Sequence, residues 1–152
     1  LGFIHNPARG YLLSGGPGLG LFLDGNKFST PPRQAFQPPE SYPQIVVSRS
    51  ERKNGHLKHL EKFYGDLEGN ALGSIAYKLA LVADGTYDLA VSVKPKNEWD
   101  IAGGAALVAA AGLELREGNF APMKFNKPQT ESLGLIAGTH EACVWYRSII
   151  SS

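Results

Sequence analysis

The stretch KPKNEWDIAGGAALVAAAG, Lys94 to Gly112, decides how the chain is read. It has an acid directly after a tryptophan, then a long apolar run with small residues at Ala102, Gly103, Gly104 and Ala105. The spacing predicts a helix from Trp99 to Gly112, with Asp100 in its first turn. A carboxylate is cheap to keep ionised there, because free backbone N–H groups and the helix dipole favour negative charge. Two roles follow: a plain structural cap, or an oxygen ligand for a hard cation such as magnesium. Composition does not choose between them.

Outward from this stretch, strand and helix signals alternate. YDLAVSV precedes it as a strand and LELRE and LGLIAGT follow as strands, with a closing helix from His140 to Ile150. Upstream, QIVVSRS reads as a buried strand, KNGHLKHLEKFYG as a helix, and GSIAYKLALVADG as a second helix ended by Gly85. This alternation predicts an α/β fold: a mixed sheet with flanking helices. The first 28 residues differ. LGFIH, YLLSGG and GLFLDG are short apolar runs divided by turn residues, which predicts antiparallel hairpins. Between them, residues 29–43 hold five prolines and no periodicity, and read as an extended connector. The expected organisation is a hairpin segment (1–28), a connector (29–43) and a carboxyl-terminal α/β domain (44–152).

Charge and cysteine content exclude several classes. Fifteen Lys and Arg against fourteen Asp and Glu leave a formal charge of +1, so neither a nucleic-acid polymer nor an anionic membrane is the expected partner. Cys143 is the single cysteine, which rules out an intrachain disulfide and makes a cytoplasmic location the expectation. The longest apolar run, residues 101–113, is too short to cross a bilayer.

Four other features bear on chemistry. GGPGLG is followed by strand and turn residues, so it reads as a hairpin and not as a phosphate loop. His56 and His59 are spaced to share a metal, but Lys58, Glu61 and Lys62 around them favour a solvated face. Ser48, Arg49 and Ser50 end a buried strand at the edge where open α/β sheets bind ligands, and suit a phosphate or carboxylate; a serine cap for the next helix fits equally well. Ser74 stands where a helix N-terminus would face an anion, with Lys78 one turn on.

Together, WDIAGGAALVAAAG, GSIAYKLALVADGTYDLAVS and VVSRS resemble the carboxyl-terminal half of the inositol monophosphatase superfamily, whose second signature is W-D-x-A-[GA]-G. LGFIHNPARGYLLSGGPGLGLFLDG resembles the strand and hairpin segment that follows the family's first signature. The resemblance implies a layered α/β sugar-phosphatase fold and magnesium-dependent hydrolysis of a phosphate monoester. It implies Asp100 as a metal ligand with Trp99 packed behind it, and Ser48, Arg49, Ser74 and Lys78 as substrate-binding residues.

Two departures qualify what is implied. Inositol-specific members carry an acid seven positions before the motif's Asp, where this chain has Val93; PKNEWD is closer to the bisphosphate nucleotidase branch or to uncharacterised relatives. The D-P-[IL]-D-G-T motif and the upstream Glu that supply most metal ligands are absent from these residues. The expectation is therefore the carboxyl-terminal portion of a phosphomonoesterase acting on a sugar phosphate, inositol phosphate or 3′-phosphoadenosine 5′-phosphate. It would be inactive without an amino-terminal half, and a homodimer is possible. The alternative is a non-catalytic module that keeps the fold.

Overall fold

A computed structural model describes residues 1–151. The chain opens with strands β1 (Gly2–Asn6), β2 (Tyr11–Gly16), β3 (Gly20–Leu23) and β4 (Asn26–Phe28). They pair antiparallel in sequence order, and GGPGLG forms the β2–β3 turn. After an irregular segment come β5 (Ile45–Ser48), α1 (Arg49–Lys53), α2 (Lys58–Tyr64), β6 (Ala71–Leu72), α3 (Ile75–Ala83) and β7 (Leu89–Ser92). Then follow β8 (Lys96–Asn97), α4 (Glu98–Ala110), β9 (Glu114–Arg116), β10 (Glu131–Ser132), β11 (Leu135–Gly138) and α5 (His140–Ile150). The main sheet is mixed, ordered β6-β5-β7-β11-β9, with β6, β5 and β7 parallel and β11 antiparallel to both neighbours.

Period-two alternation in the buried strands builds two cores at once. Ile45, Val47, Leu89, Val91 and Ile136 pack with Leu60 of α2 and with Cys143 and Tyr146 of α5. Their neighbours Val46, Ala90, Leu135 and Ala137 pack with Leu79 and Val82 of α3 and Ile101 and Val108 of α4. On the outer side of the same helix pair, Leu13 and Leu21 of the hairpin sheet meet Ala80, Ala83 and Leu107. The layers run hairpin sheet, α3 with α4, main sheet, then α2 with α5.

The small residues of α4 explain how it fits between two sheets. A Cβ on Gly104 would stand 2.6 Å from Leu79 Cδ1 and 2.7 Å from Leu79 Cβ, so α4 lies hard against α3. A Cβ on Gly2 would stand 2.0 Å from the Gly103 carbonyl oxygen, so β1 lies equally hard against α4. The close contacts are therefore with α3 and the hairpin sheet.

One expected helix is interrupted. KNGHLKHLEKFYG does not form a single helix, because Gly55 takes a left-handed conformation (φ 71°) that separates α1 from α2. His56 falls in the turn before α2, not on the same helix as His59.

The proline-rich connector is tied down by Arg33. Its guanidinium donates to the Tyr87 and Val82 carbonyl oxygens and pairs with Asp88 at 3.4 Å. Asp88 in turn accepts from the Gln44 backbone N–H at 2.8 Å. Arg33→Ala removes these three interactions from a site where the arginine side chain is only 16% exposed, leaving Val82 and Asp88 with only their bonds from the Gly85 and Gln44 N–H groups. A loss of about 2 kcal/mol is expected, read from the urea unfolding midpoint.

Candidate functional site

The order β6, α3, β7 and then α4 sets the position of the site. With β6, β5 and β7 parallel, each returning helix runs antiparallel to its strand, which brings the N-termini of α3 and α4 to the carboxyl edge of the sheet. Ser48 ends β5 at this edge and caps α1, its Oγ accepting from the Glu51 N–H at 3.5 Å. Ser74 caps α3, accepting from the Tyr77 N–H at 3.3 Å, and holds a left-handed φ of 46°, uncommon for a residue with a side chain. Lys78, one turn into α3, is 2% exposed and donates to the Leu72 and Gly73 carbonyl oxygens at 3.4 and 3.5 Å.

Ser48, Arg49, Ser74 and Lys78, drawn from elements far apart in sequence, line one open cleft of about 440 Å³. Ser50, Lys53 and Lys96 complete its polar wall, and among the described residues no carboxylate lines it. Four cations around one hollow lower the energy of an anion there. Burial pushes Lys78 down to about 8, with repulsion from Lys96 and Arg49 adding to the shift and attraction from Glu51 opposing it. A second cleft of about 390 Å³ shares Arg49, Gly73 and Ser74 and is edged by His5, Arg9 and Tyr77.

Asp100 is exposed in the first turn of α4. The cap role read from sequence is not realised as a bond: Asn97 is the N-cap and no side chain caps the helix. Instead the Glu98 carboxylate, buried two residues earlier, accepts from the Asn126 and Lys127 N–H groups at 2.7 and 3.2 Å. Trp99 does not pack behind Asp100; it is 67% exposed, because its neighbours Glu98 and Ile101 take the inward positions of the first turn.

Asp100 offers an exposed carboxylate at a helix start, a donor of the kind hard cations take. Among the described residues no group of three or more His, Cys, Asp or Glu is placed to hold a metal. His56 is exposed, while His59 is half-buried and hydrogen-bonded to the Tyr146 hydroxyl at 3.1 Å; burial, then Lys62, push its imidazole below the usual value. Val93 borders a different and mostly apolar hollow beside His59 and Tyr146.

Sequence reasoning missed Glu51, Lys53 and Lys96. The signal for Glu51 was present as S-x-x-E, Ser48 to Glu51, but that pattern reads as a reciprocal helix cap. The carboxylate instead turns toward residues 92–96, where the Ser92 hydroxyl, the Val93 N–H (2.9 Å) and the Lys96 ammonium (3.1 Å) donate to it. Burial alone would raise the Glu51 carboxyl, but these donors outweigh it and hold it below the usual range.

Comparison with known proteins identifies the family. The family profile described as the inositol monophosphatase family matches residues 1–148. The 3′(2′),5′-bisphosphate nucleotidase CysQ of Escherichia coli (strain K12) is 30% identical over 93 residues, 61% of this chain and 37% of that protein. Among solved structures, the Thermotoga maritima IMPase TM1415 matches with a TM-score of 0.69 at 21% identity, over 98% of this chain and 53% of that one. An inositol monophosphatase from Anabaena (Nostoc) matches with a TM-score of 0.71 at 19% identity, over 98% and 59%. The chain thus spans little more than a third of that curated relative and just over half of these solved chains. No helix among the described residues is long and apolar enough to cross a membrane. In sequence and in fold, the chain belongs to the inositol monophosphatase family.

Proposed function

We propose that these residues are the carboxyl-terminal portion of a magnesium-dependent phosphomonoesterase of the cytoplasm. The observation that carries the proposal is the acid-free cleft in which Ser48, Arg49, Ser74 and Lys78 converge at the carboxyl edge of the sheet. Asp100 would hold a magnesium ion, which when bound supplies positive charge to the phosphoryl group. The chain's own residues bind and orient the substrate: hydroxyls of Ser48 and Ser74 and the guanidinium of Arg49 donate to anionic oxygens, and Lys78 contributes a buried charge. One carboxylate cannot assemble the full metal site, so an amino-terminal segment of the same enzyme is the proposed partner. Strand β1 is an edge strand that carries exposed Phe3 and is preceded by exposed Leu1, which gives that segment a sheet edge to extend. A homodimer is compatible with this assembly.

A bisphosphorylated substrate such as 3′-phosphoadenosine 5′-phosphate suits the site better than an inositol phosphate. Four cations are more than a single phosphoryl group needs, the adjoining cleft beside Tyr77 has room for a ring, and Val93 offers no carboxylate to a sugar. The likeness to a bisphosphate nucleotidase points the same way.

The test is phosphate release by the protein that carries these residues together with an upstream D-P-x-D-G-T segment. Inositol 1-phosphate, 3′-phosphoadenosine 5′-phosphate and a sugar bisphosphate are compared, with magnesium and with chelator. Release from the nucleotide only with magnesium is the expected result. No release from any of them by the folded protein would identify a non-catalytic relative.

Lys78 gives this cleft a signature in pH. Its ammonium is charged below about 8, so affinity for adenosine 3′,5′-bisphosphate is expected to fall as pH rises through that value. Stability moves the other way. Between about 8 and the ordinary lysine value of 10.5 the unfolded chain holds the proton and the folded chain does not, so unfolding free energy rises with pH. Calorimetric titration and urea unfolding across pH 7 to 10 check the two opposed trends.

A further inference from the structure

We infer that Glu51 is a positioning residue for the anion cleft, fixing both the charge of Lys96 at its wall and the turn that leads from β7 into α4. Glu51 is 2% exposed. Every donor on its carboxylate comes from one short segment: the Ser92 hydroxyl, the Val93 and Lys94 N–H groups at 2.9 and 3.4 Å, and the Lys96 ammonium at 3.1 Å. Lys96 also donates to the Lys94 and Pro95 carbonyl oxygens at 3.0 and 3.3 Å, so its three donors are used and it serves the cleft as a fixed charge. Lys96 then begins β8, which pairs with β10 and runs directly into α4 and Asp100. A single buried carboxylate on α1 thereby sets the wall of the cleft and the approach to the helix that presents Asp100.

Simple electrostatics and this inference predict opposite outcomes, which makes a sharp test. Removing a negative charge beside a cationic hollow should strengthen anion binding. If Glu51 acts by positioning, Glu51→Gln should weaken it, because Lys96 is released and Lys78 loses the group that favours its charged form. The inference rests on the cleft being an anion site, so the experiment has a ligand arm and a ligand-free arm.

In the ligand arm, adenosine 3′,5′-bisphosphate is titrated calorimetrically into the chain at pH 7. Glu51→Gln is expected to bind about tenfold more weakly. Lys96→Met should weaken binding comparably, and adding Glu51→Gln to it should cost little more. Unchanged or tighter binding by Glu51→Gln overturns the inference, and if that variant does not fold, unweakened binding by Lys96→Met does so.

In the ligand-free arm, lysine side-chain resonances are followed through pH. The titratable groups facing Glu51 are Lys78 on α3, Lys96 on the turn and Tyr146 on α5. In Glu51→Gln the Lys78 midpoint should fall below that of the parent, and Lys96 should take the averaged shifts of a free lysine. An unmoved Lys78 and a still-ordered Lys96 overturn the inference. If the parent does not bind the nucleotide, the proposed function fails while this arm still decides the role of Glu51.

Discussion

Asp100→Asn is expected to leave the fold intact and to lower magnesium-dependent phosphate release by the assembled enzyme by about three orders of magnitude. A metal that stabilises charge on a phosphoryl group is worth several kcal/mol of barrier, and each 1.4 kcal/mol or so is tenfold in rate. The amide keeps the size of the carboxylate but not its charge. Stability should change little. Asp100 is exposed and makes no hydrogen bond or ion pair with the described residues, so the substitution removes only its interaction with the helix dipole, about 0.3–1 kcal/mol. Thermal unfolding with and without magnesium separates the two effects. A variant that unfolds early would return Asp100 to a structural role, and a folded variant with full activity would remove it from the metal site.

Gly104→Val should lower stability by about 3 kcal/mol or more. A Cβ at this position would meet both the Cδ1 and the Cβ of Leu79 well inside contact distance. The Leu79 Cβ cannot swing away as a side-chain tip can, so α3 and α4 must separate. These two helices carry the inner core with Val82, Ile101 and Val108 and the outer core with Ala80 and Leu107, so separation loosens both. The better helix propensity of valine over glycine returns only a few tenths of a kcal/mol. Separation also shifts the N-termini of α3 and α4, and with them Ser74 and Asp100. Anion affinity should therefore fall along with the urea unfolding midpoint. A variant with parental stability would show that the helix contact is looser than the structure describes.

Much of the fold could be read because its strongest elements obey one period each. Ile45 to Ser48, Leu89 to Ser92 and Leu135 to Gly138 are short apolar runs, and all three form buried strands. Elements made by tertiary contact were invisible: β6, β8 and β10 are two residues each and exist only because a neighbour pairs with them. Gly55 broke a helix that apolar spacing alone would have continued. At the cleft, Ser48, Arg49, Ser74 and Lys78 could be picked out in advance because strand ends and helix starts have recognisable sequences. Glu51 was not, since S-x-x-E has a local explanation that hides a partner more than 40 residues away. Trp99 was misplaced because a motif names residues without stating which face of the first turn is buried.

The cleft that joins β5, β6 and α3 is the centre of this account, and a backbone amide titration reads it most directly. Adenosine 3′,5′-bisphosphate is added to the isotopically labelled chain at pH 7 while the N–H resonances are followed. The account predicts saturable shifts concentrated at Ser48, Arg49, Gly73, Ser74 and Lys78, weakened by Arg49→Ala and by raising the pH above 8. Shifts absent from these residues, or confined to the apolar hollow around Val91, Leu133 and Tyr146, would contradict it.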